Sequence, residues 1–354
     1  MKSNYDLLGN HIRLIDNRNK DLVTEQVLGI NIDKFFMPSV ANVIGTDLSK
    51  YKLIQKGNFA CNAMHVGRDE RLPVALYSED TPAIVSPAYF MFEIKDTTVL
   101  NADFLMMWFR RPEFDRICWL HTDGSVRGGI TWDDICRMEI PVPPIDEQIE
   151  IVNSYQAITE RIKLKKQIND NLEATAFAIY KETFITQNSS DWSKGTLSDL
   201  LTVKYGKDHK HLADGAIPLY GSGGIMRYVE KALYDKVSVL IPRKGTLSNV
   251  IYVDEPFWSV DTMFYTEIAK PYAAKFIYYF VKSKDLAGMD TGSAVPSMSS
   301  EIIHSMQLSI PDDDTLISFD NRLCPLYKQI KANNQECAKL KDLQDVLLTT
   351  ISSR

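Results

Sequence analysis

The sequence predicts an α+β chain: two β-rich domains related by a pseudo-two-fold, separated by two long antiparallel coiled-coil helices. Three observations predict it. An internal repeat covers nearly the whole chain, two stretches poor in Pro and Gly share one register, and most Gly, aromatic and β-branched residues lie outside those stretches. Phe104-Leu-Met-Met-Trp-Phe109 resembles Phe276-Ile-Tyr-Tyr-Phe-Val281 at an offset of 172. Gly124-Ser125 recurs as Gly292-Ser293 at 168, and Ile140-Pro141 as Ile310-Pro311 at 170. Ile162-Lys163 recurs as Ile330-Lys331, and Leu172 as Leu340, both at 168. Five weak matches in one order at nearly one offset mark a duplication. A chain of 354 residues is long enough for both copies to build a core.

Each half ends alike. A Pro-containing segment (Ile140-Pro-Val-Pro-Pro144; Ile310-Pro-Asp-Asp-Asp314) stops the preceding structure, since proline continues neither a helix nor a central strand. Helical stretches follow, from about residue 146 to 186 and from about 315 to the end, the second broken only by Pro325. Asp146 and Glu147 suit a helix N-terminus. The seam of the first is Ile151, Tyr155, Ile158, Ile162, Lys165, Asn169, Leu172, Ala176 and Ile179. That of the second is Phe319, Leu323, Leu326, Ile330, Asn333, Cys337, Leu340, Gln344 and Leu347. Steps of four and three average 3.5 residues, the period that keeps one stripe facing a partner helix. Both seams turn polar in the middle, at Lys165 and Asn169 and at Asn333 and Cys337. An antiparallel pair brings the two middles together, where polar side chains fix register. Two ordinary amphipathic core helices are the plainer alternative. The expected segments are 1–145, 146–187, 188–311 and 312–354: a globular domain, a central helix, a second globular domain and a C-terminal helix.

Within the globular parts, 237–241 and 249–253 read as strands around a turn at Lys244-Gly245, and 257–265 as another strand. Residues 101–109 and 272–281 read as short helices. The net charge of −6 argues weakly against nucleic acid. Its distribution matters more. From Thr202 to Val250 eight basic residues oppose four acids, with His209 and His211 besides. No run of about 18 apolar residues spans a membrane. Five scattered cysteines, never spaced CxxC, fit a reducing cytoplasm.

Catalytic constellations are missing. The sequence has no GxxxxGK[ST] loop, no GxGxxG after a strand, no NPPY and no HExxH. His209 and His211 are half a metal site at most, more simply a solvated loop. This points to a binding subunit, with no catalytic and no metal residues expected. Gly221-Ser-Gly-Gly224, flanked by Tyr220 and Arg227, can cradle phosphate with backbone amides or be only a tight turn. Arg243-Lys-Gly-Thr246 lets a basic backbone approach a phosphate or groove, or is a solvated hairpin turn.

Tyr220-Gly-Ser-Gly-Gly-Ile225, Leu240-Ile-Pro-Arg-Lys-Gly-Thr246 and Pro256-Phe-Trp-Ser-Val-Asp-Thr262, in this order, resemble the target-recognition domains of type I restriction-modification specificity (S) subunits. Gly292-Ser-Ala-Val-Pro-Ser-Met298 fits the segment before their helix, and Ile140-Pro-Val-Pro-Pro-Ile-Asp-Glu-Gln-Ile-Glu-Ile151 the opening of their central helix. The second copy departs, with Pro311-Asp-Asp-Asp-Thr where the family carries Pro-Pro and Glu-Gln. The first domain lacks both GSGG and RKGT, so the two domains would read different sequences.

The resemblance implies that each domain reads one half of a bipartite site in double-stranded DNA. The helices, roughly 60 Å for about 40 residues, set the spacing. It implies partners: two modification (methyltransferase) subunits with S-adenosylmethionine, which flip an adenine out of the duplex, and restriction subunits with ATP and Mg. It implies no cofactor in this chain, no membrane, and a cytoplasmic location. Charge or amide chemistry beside glycine or loops selects DNA contacts. These are Lys207, Lys210, Ser222, Arg227, Arg243, Lys244 and Thr246 in the second domain, and Lys52, Lys56, Asn62, Arg68, Arg71, Ser125 and Arg127 in the first. The rival readings are a non-DNA scaffold and a DNA-modifying enzyme of unrecognised motif.

Overall fold

Two sheets, a helix packed on the core, a capped short helix and a long helix occur once in each repeat of the computed structural model, which describes residues 5–40, 44–64, 66–122, 128–187, 191–289 and 297–351. The chain divides into two units. One comprises Met1–Leu164 with Glu336–Arg354, the other Lys165–Gln335.

In the first unit, strands Ile12–Leu14, Phe90–Ile94, Phe59–Cys61 and Val74–Leu76 form an antiparallel sheet in that spatial order. A second sheet orders Phe36–Pro38, Val27–Ile30, Ala83–Val85 and Lys52–Ile54, with Val27–Ile30 and Ala83–Val85 parallel. Phe59 and Phe92 stack at 5.0 Å on the first sheet, and Phe109 meets Phe59 edge-on at 5.9 Å. Helix Ala102–Phe109 covers them, capped by Asn101, whose Oδ1 accepts the Phe104 amide at 3.0 Å. Burying rings of this size, at about 25 cal/mol per Å², supplies much of what holds the unit together.

The second unit repeats this plan. Strands Leu201–Tyr205, Met263–Ile268, Ser238–Pro242 and Ile251–Val253 form an antiparallel sheet in the matching order. A three-stranded sheet orders Gly224–Val229, Asp214–Gly221 and Trp258–Ser259, again with one antiparallel and one parallel neighbour. Helix Ala274–Lys282 packs on the core, where Phe184 lies 4.7 Å from Phe276 and 4.8 Å from Phe319. Two short helices are also a repeat apart. Thr131 caps Trp132–Cys136 and Ser299 caps Ser300–His304.

The sequence-predicted segment at 257–265 is two strands, in different sheets. Its middle turns at Val260, whose carbonyl accepts the Met263 amide. The 237–253 segment is not closed by a tight turn at Lys244-Gly245 but by a loop over 243–250.

The central helix spans Ile145–Lys181 and ends in a π-helical turn, Glu182–Thr186. Its start is clamped by Gln148, fully buried, which donates to the carbonyls of Pro143 at 2.7 Å and Val99 at 2.9 Å and accepts the Asn101 amide. The C-terminal helix spans Asp313–Thr350 and runs through Pro325 without a break. Proline removes one backbone donor from a helix interior, yet tertiary packing of Leu323 and Leu326 holds that turn. The departure at its start is a different cap. Asp312 Oδ1 accepts the Thr315 amide at 2.8 Å, Asp313 pairs with Lys270, and buried Leu316 takes the place of Gln148.

Seam residues Ile151, Tyr155, Ile158, Ile162, Leu172, Phe319, Leu323, Leu326, Ile330, Leu340 and Leu347 are all buried or half-buried. Pairing within each unit is antiparallel. In the first, Thr159 meets Gln344 at 2.7 Å and Arg161 meets Glu336. In the second, Lys165 donates to Asn333 at 3.1 Å, and Asn333 donates to Asn169 at 2.8 Å. Tyr180 packs on Phe319, and Arg322 lies 3.8 Å from Glu182.

Candidate nucleic-acid interface

Three motifs of the second unit converge. Gly221-Ser-Gly-Gly224 is the two-residue turn of the hairpin between Asp214–Gly221 and Gly224–Val229. Gly224 has φ +113°, a conformation that side chains resist. The loop after Ser238–Pro242 folds back beside it. Asn249 Nδ2 donates to the Ser222 carbonyl at 2.9 Å, and Gly245 has φ +84°. A Cβ on Gly245 would stand 3.0 Å from Ser222 Oγ, so glycine permits the approach. The third motif closes the cluster: the amides of Arg243 and Lys244 both donate to the Thr262 carbonyl, and the Val260 amide to the Tyr220 carbonyl. Burial pushes the Tyr220 phenol up to about 12, so it stays protonated beneath the turn.

The side chains on this cluster differ in freedom. Arg243 lies over the Tyr205 ring at 5.2 Å and donates to the Asp261 carbonyl at 3.2 Å. Lys207, Lys210 and Lys244 are exposed and make no ion pair among the described residues. Thr246 is exposed and Ser222 half-buried. Arg227 is committed, joined to Asp214 at 2.8 Å and to the carbonyls of His209 and Leu212. Tyr205, Ile225, Met226 and Tyr228 present exposed apolar surface near the turn. Tyr205 was not singled out in the sequence. Only its neighbours Gly206 and Lys207 could have drawn attention to it.

The first unit's candidates are held more tightly. Lys52 departs from the expectation of a free cation. It is buried, donates to the Tyr89 carbonyl at 2.7 Å, and burial lowers its pKa against the pull of Asp16. Lys56 pairs with Asp80 at 2.7 Å, which raises its pKa, and Arg68 is likewise raised by its hydrogen bond to Asp69. Arg71 joins Asp33 at 3.1 Å. The Asn62 side chain accepts the Met64 amide. Ser125 and Arg127 lie outside the described residues, as do the repeat matches Gly124-Ser125 and Gly292-Ser293. Among the described residues no group of three or more His, Cys, Asp or Glu could hold a metal ion. Likewise no helix there is long and apolar enough to cross a membrane.

Comparison with known proteins finds similarities to this chain. Residues 189–341 match the type I restriction modification DNA specificity domain. A curated relative, the type I restriction enzyme MjaIX specificity subunit of Methanocaldococcus jannaschii, is 23% identical over 276 residues. The match covers 63% of this chain, and the chain spans 63% of that relative's length. The crystal structure of the type I restriction-modification system S subunit from M. genitalium superposes with a TM-score of 0.60. It covers 98% of this chain and 95% of that one at 16% identity, a likeness of fold. Residues 189–341 are thus similar to a type I restriction modification DNA specificity domain.

Proposed function

We propose that this chain is the DNA-specificity subunit of a type I restriction-modification complex, each unit reading one half of a bipartite site. The observation that carries this is the convergence of the hairpin turn at 222–223, the 243–250 loop and Thr262 into one surface bearing Arg243 and Lys244 without a carboxylate partner. Base edges in the major groove carry a distinct donor and acceptor code, and phosphate contacts set orientation without reading it. Lysines 207, 210 and 244 suit phosphates, and Arg243, braced on Tyr205, suits a base edge. The paired helices set half-site spacing and dock modification subunits. The chain performs no catalysis in this reading. S-adenosylmethionine, ATP and Mg act in partner modification and restriction subunits of a cytoplasmic complex.

The test is genome-wide mapping of methylated adenines in cells carrying Arg243→Ala or Lys244→Ala at the chromosomal locus. Arg243→Ala is expected to relax one position of one half-site, and Lys244→Ala to lower methylation at all sites uniformly. Unchanged sites and unchanged efficiency for both would refute the assignment of this surface.

A further inference from the structure

The convergent loops of the second unit have an unassigned counterpart in the first. In the second unit the Arg243 carbonyl, directly after strand Ser238–Pro242, accepts the Met298 amide at 2.8 Å. In the first, the Ala63 carbonyl, just after strand Phe59–Cys61, accepts the Ile130 amide at 3.2 Å. Ile130 and Met298 are one repeat apart, each just ahead of a capped short helix. The segment over 66–72, which opens with helix Val66–Asp69, therefore takes the place of the 243–250 loop.

The hairpin has its counterpart as well. Val27–Ile30 pairs antiparallel with Phe36–Pro38 and parallel with Ala83–Val85, as Asp214–Gly221 does with its two neighbours. The turn over 31–35 thus stands where the turn at 222–223 stands. In the second unit Asn249 ties loop to turn. In the first, Arg71 crosses to Asp33 at 3.1 Å. Asp115 Oδ1 adds a second tie, accepting both Lys34 Nζ at 2.7 Å and the Leu72 amide at 3.0 Å. Different side chains hold the same two loops together.

We propose that the turn over 31–35 and the segment over 66–72 form the DNA-reading surface of the first unit, with Asp33, Arg68 and Arg71 as specificity-determining side chains. The proposal rests on the DNA-reading function above. The chemistry is that of guanine and cytosine edges: arginine pairs with guanine O6 and N7, and a carboxylate accepts from cytosine N4. Side-chain exposure of 67% for Asp33, 52% for Arg71 and 57% for Arg68 leaves all three accessible, with the Arg71–Asp33 and Arg68–Asp69 pairs exchanged for base edges on binding. Asp69 and Glu70 offset the two arginines, so this surface reads bases with little phosphate attraction, unlike the lysine-bearing surface of the second unit.

Arg71→Gln, Arg68→Gln and Asp33→Asn, introduced singly at the chromosomal locus, test this by methylation mapping. The expected result is an altered base preference, about ten-fold in relative methylation, at positions confined to one half-site. That half-site is the one Arg243→Ala leaves intact. Three variants that keep the wild-type sequence preference in both half-sites overturn the proposal, as does loss of methylation at every site without change of preference. Deletion of the gene provides the separate control. If it leaves adenine methylation unchanged, the DNA-reading function fails, not merely the placement of its first surface.

Discussion

Lys34 adopts φ +67°, a left-handed conformation a non-glycine residue holds only when its surroundings fix it. What fixes it is the side chain. Its ammonium donates to the Phe109 carbonyl and to Asp115, and lies 4.7 Å from the Phe114 ring centre. Burial lowers its pKa and the Asp115 carboxylate opposes that shift, so the pair stands or falls together. Lys34→Ala leaves a largely buried carboxylate and a backbone carbonyl without their cation. The expected loss is about 3 kcal/mol, read as a lowered urea midpoint with an unchanged slope. Surface pairs behave otherwise. Lys56 with Asp80 is exposed, and such pairs contribute little to stability.

At the scale of elements, the helical seams show what a sequence can reveal. A 3.5-residue period needs only local spacing, so Ile151 through Ile179 and Phe319 through Leu347 were legible, and so was their polar middle. There Asn333, 1% exposed, accepts from Lys165 and Gln329 and donates to Asn169. Asn333→Leu takes the donor from Asn169 Oδ1 in a half-apolar seam and is expected to cost about 1–3 kcal/mol. Adding Asn169→Leu should recover part of that loss, because it removes the acceptor that Asn333→Leu leaves without its donor. Thermal unfolding of the two singles and the double measures the coupling, and a purely additive double denies it. Other features were hidden because they are nonlocal. The parallel pairing of Val27–Ile30 with Ala83–Val85 joins residues far apart in the chain. The partner of Arg71 is Asp33, 38 residues away. The two glycine-basic motifs were visible singly, but their meeting through Asn249 and Ser222 depends on how the loop after Ser238–Pro242 folds.

Over the whole molecule, a net charge of −6 coexists with a lysine-bearing surface on one unit. In the DNA-reading function proposed above, an acidic body repels the duplex at long range, so binding would depend on local cations able to displace condensed counterions. Each phosphate neutralised lowers the slope of log affinity against log salt by about 0.9 for duplex DNA. Lys207, Lys210 and Lys244 have no carboxylate partner among the described residues and can each supply such a contact. Lys56, tied to Asp80, supplies it only by giving up that bond. Titrating a cognate duplex with the assembled complex over a salt series separates the cases. Each of Lys207→Ala, Lys210→Ala and Lys244→Ala is expected to shallow the slope by about 0.9 and weaken binding equally on cognate and altered sites. Lys56→Ala should leave the slope in place. Equal shallowing by Lys56→Ala would mean that its pair with Asp80 yields to phosphate, and that local charge balance does not decide which unit anchors the DNA.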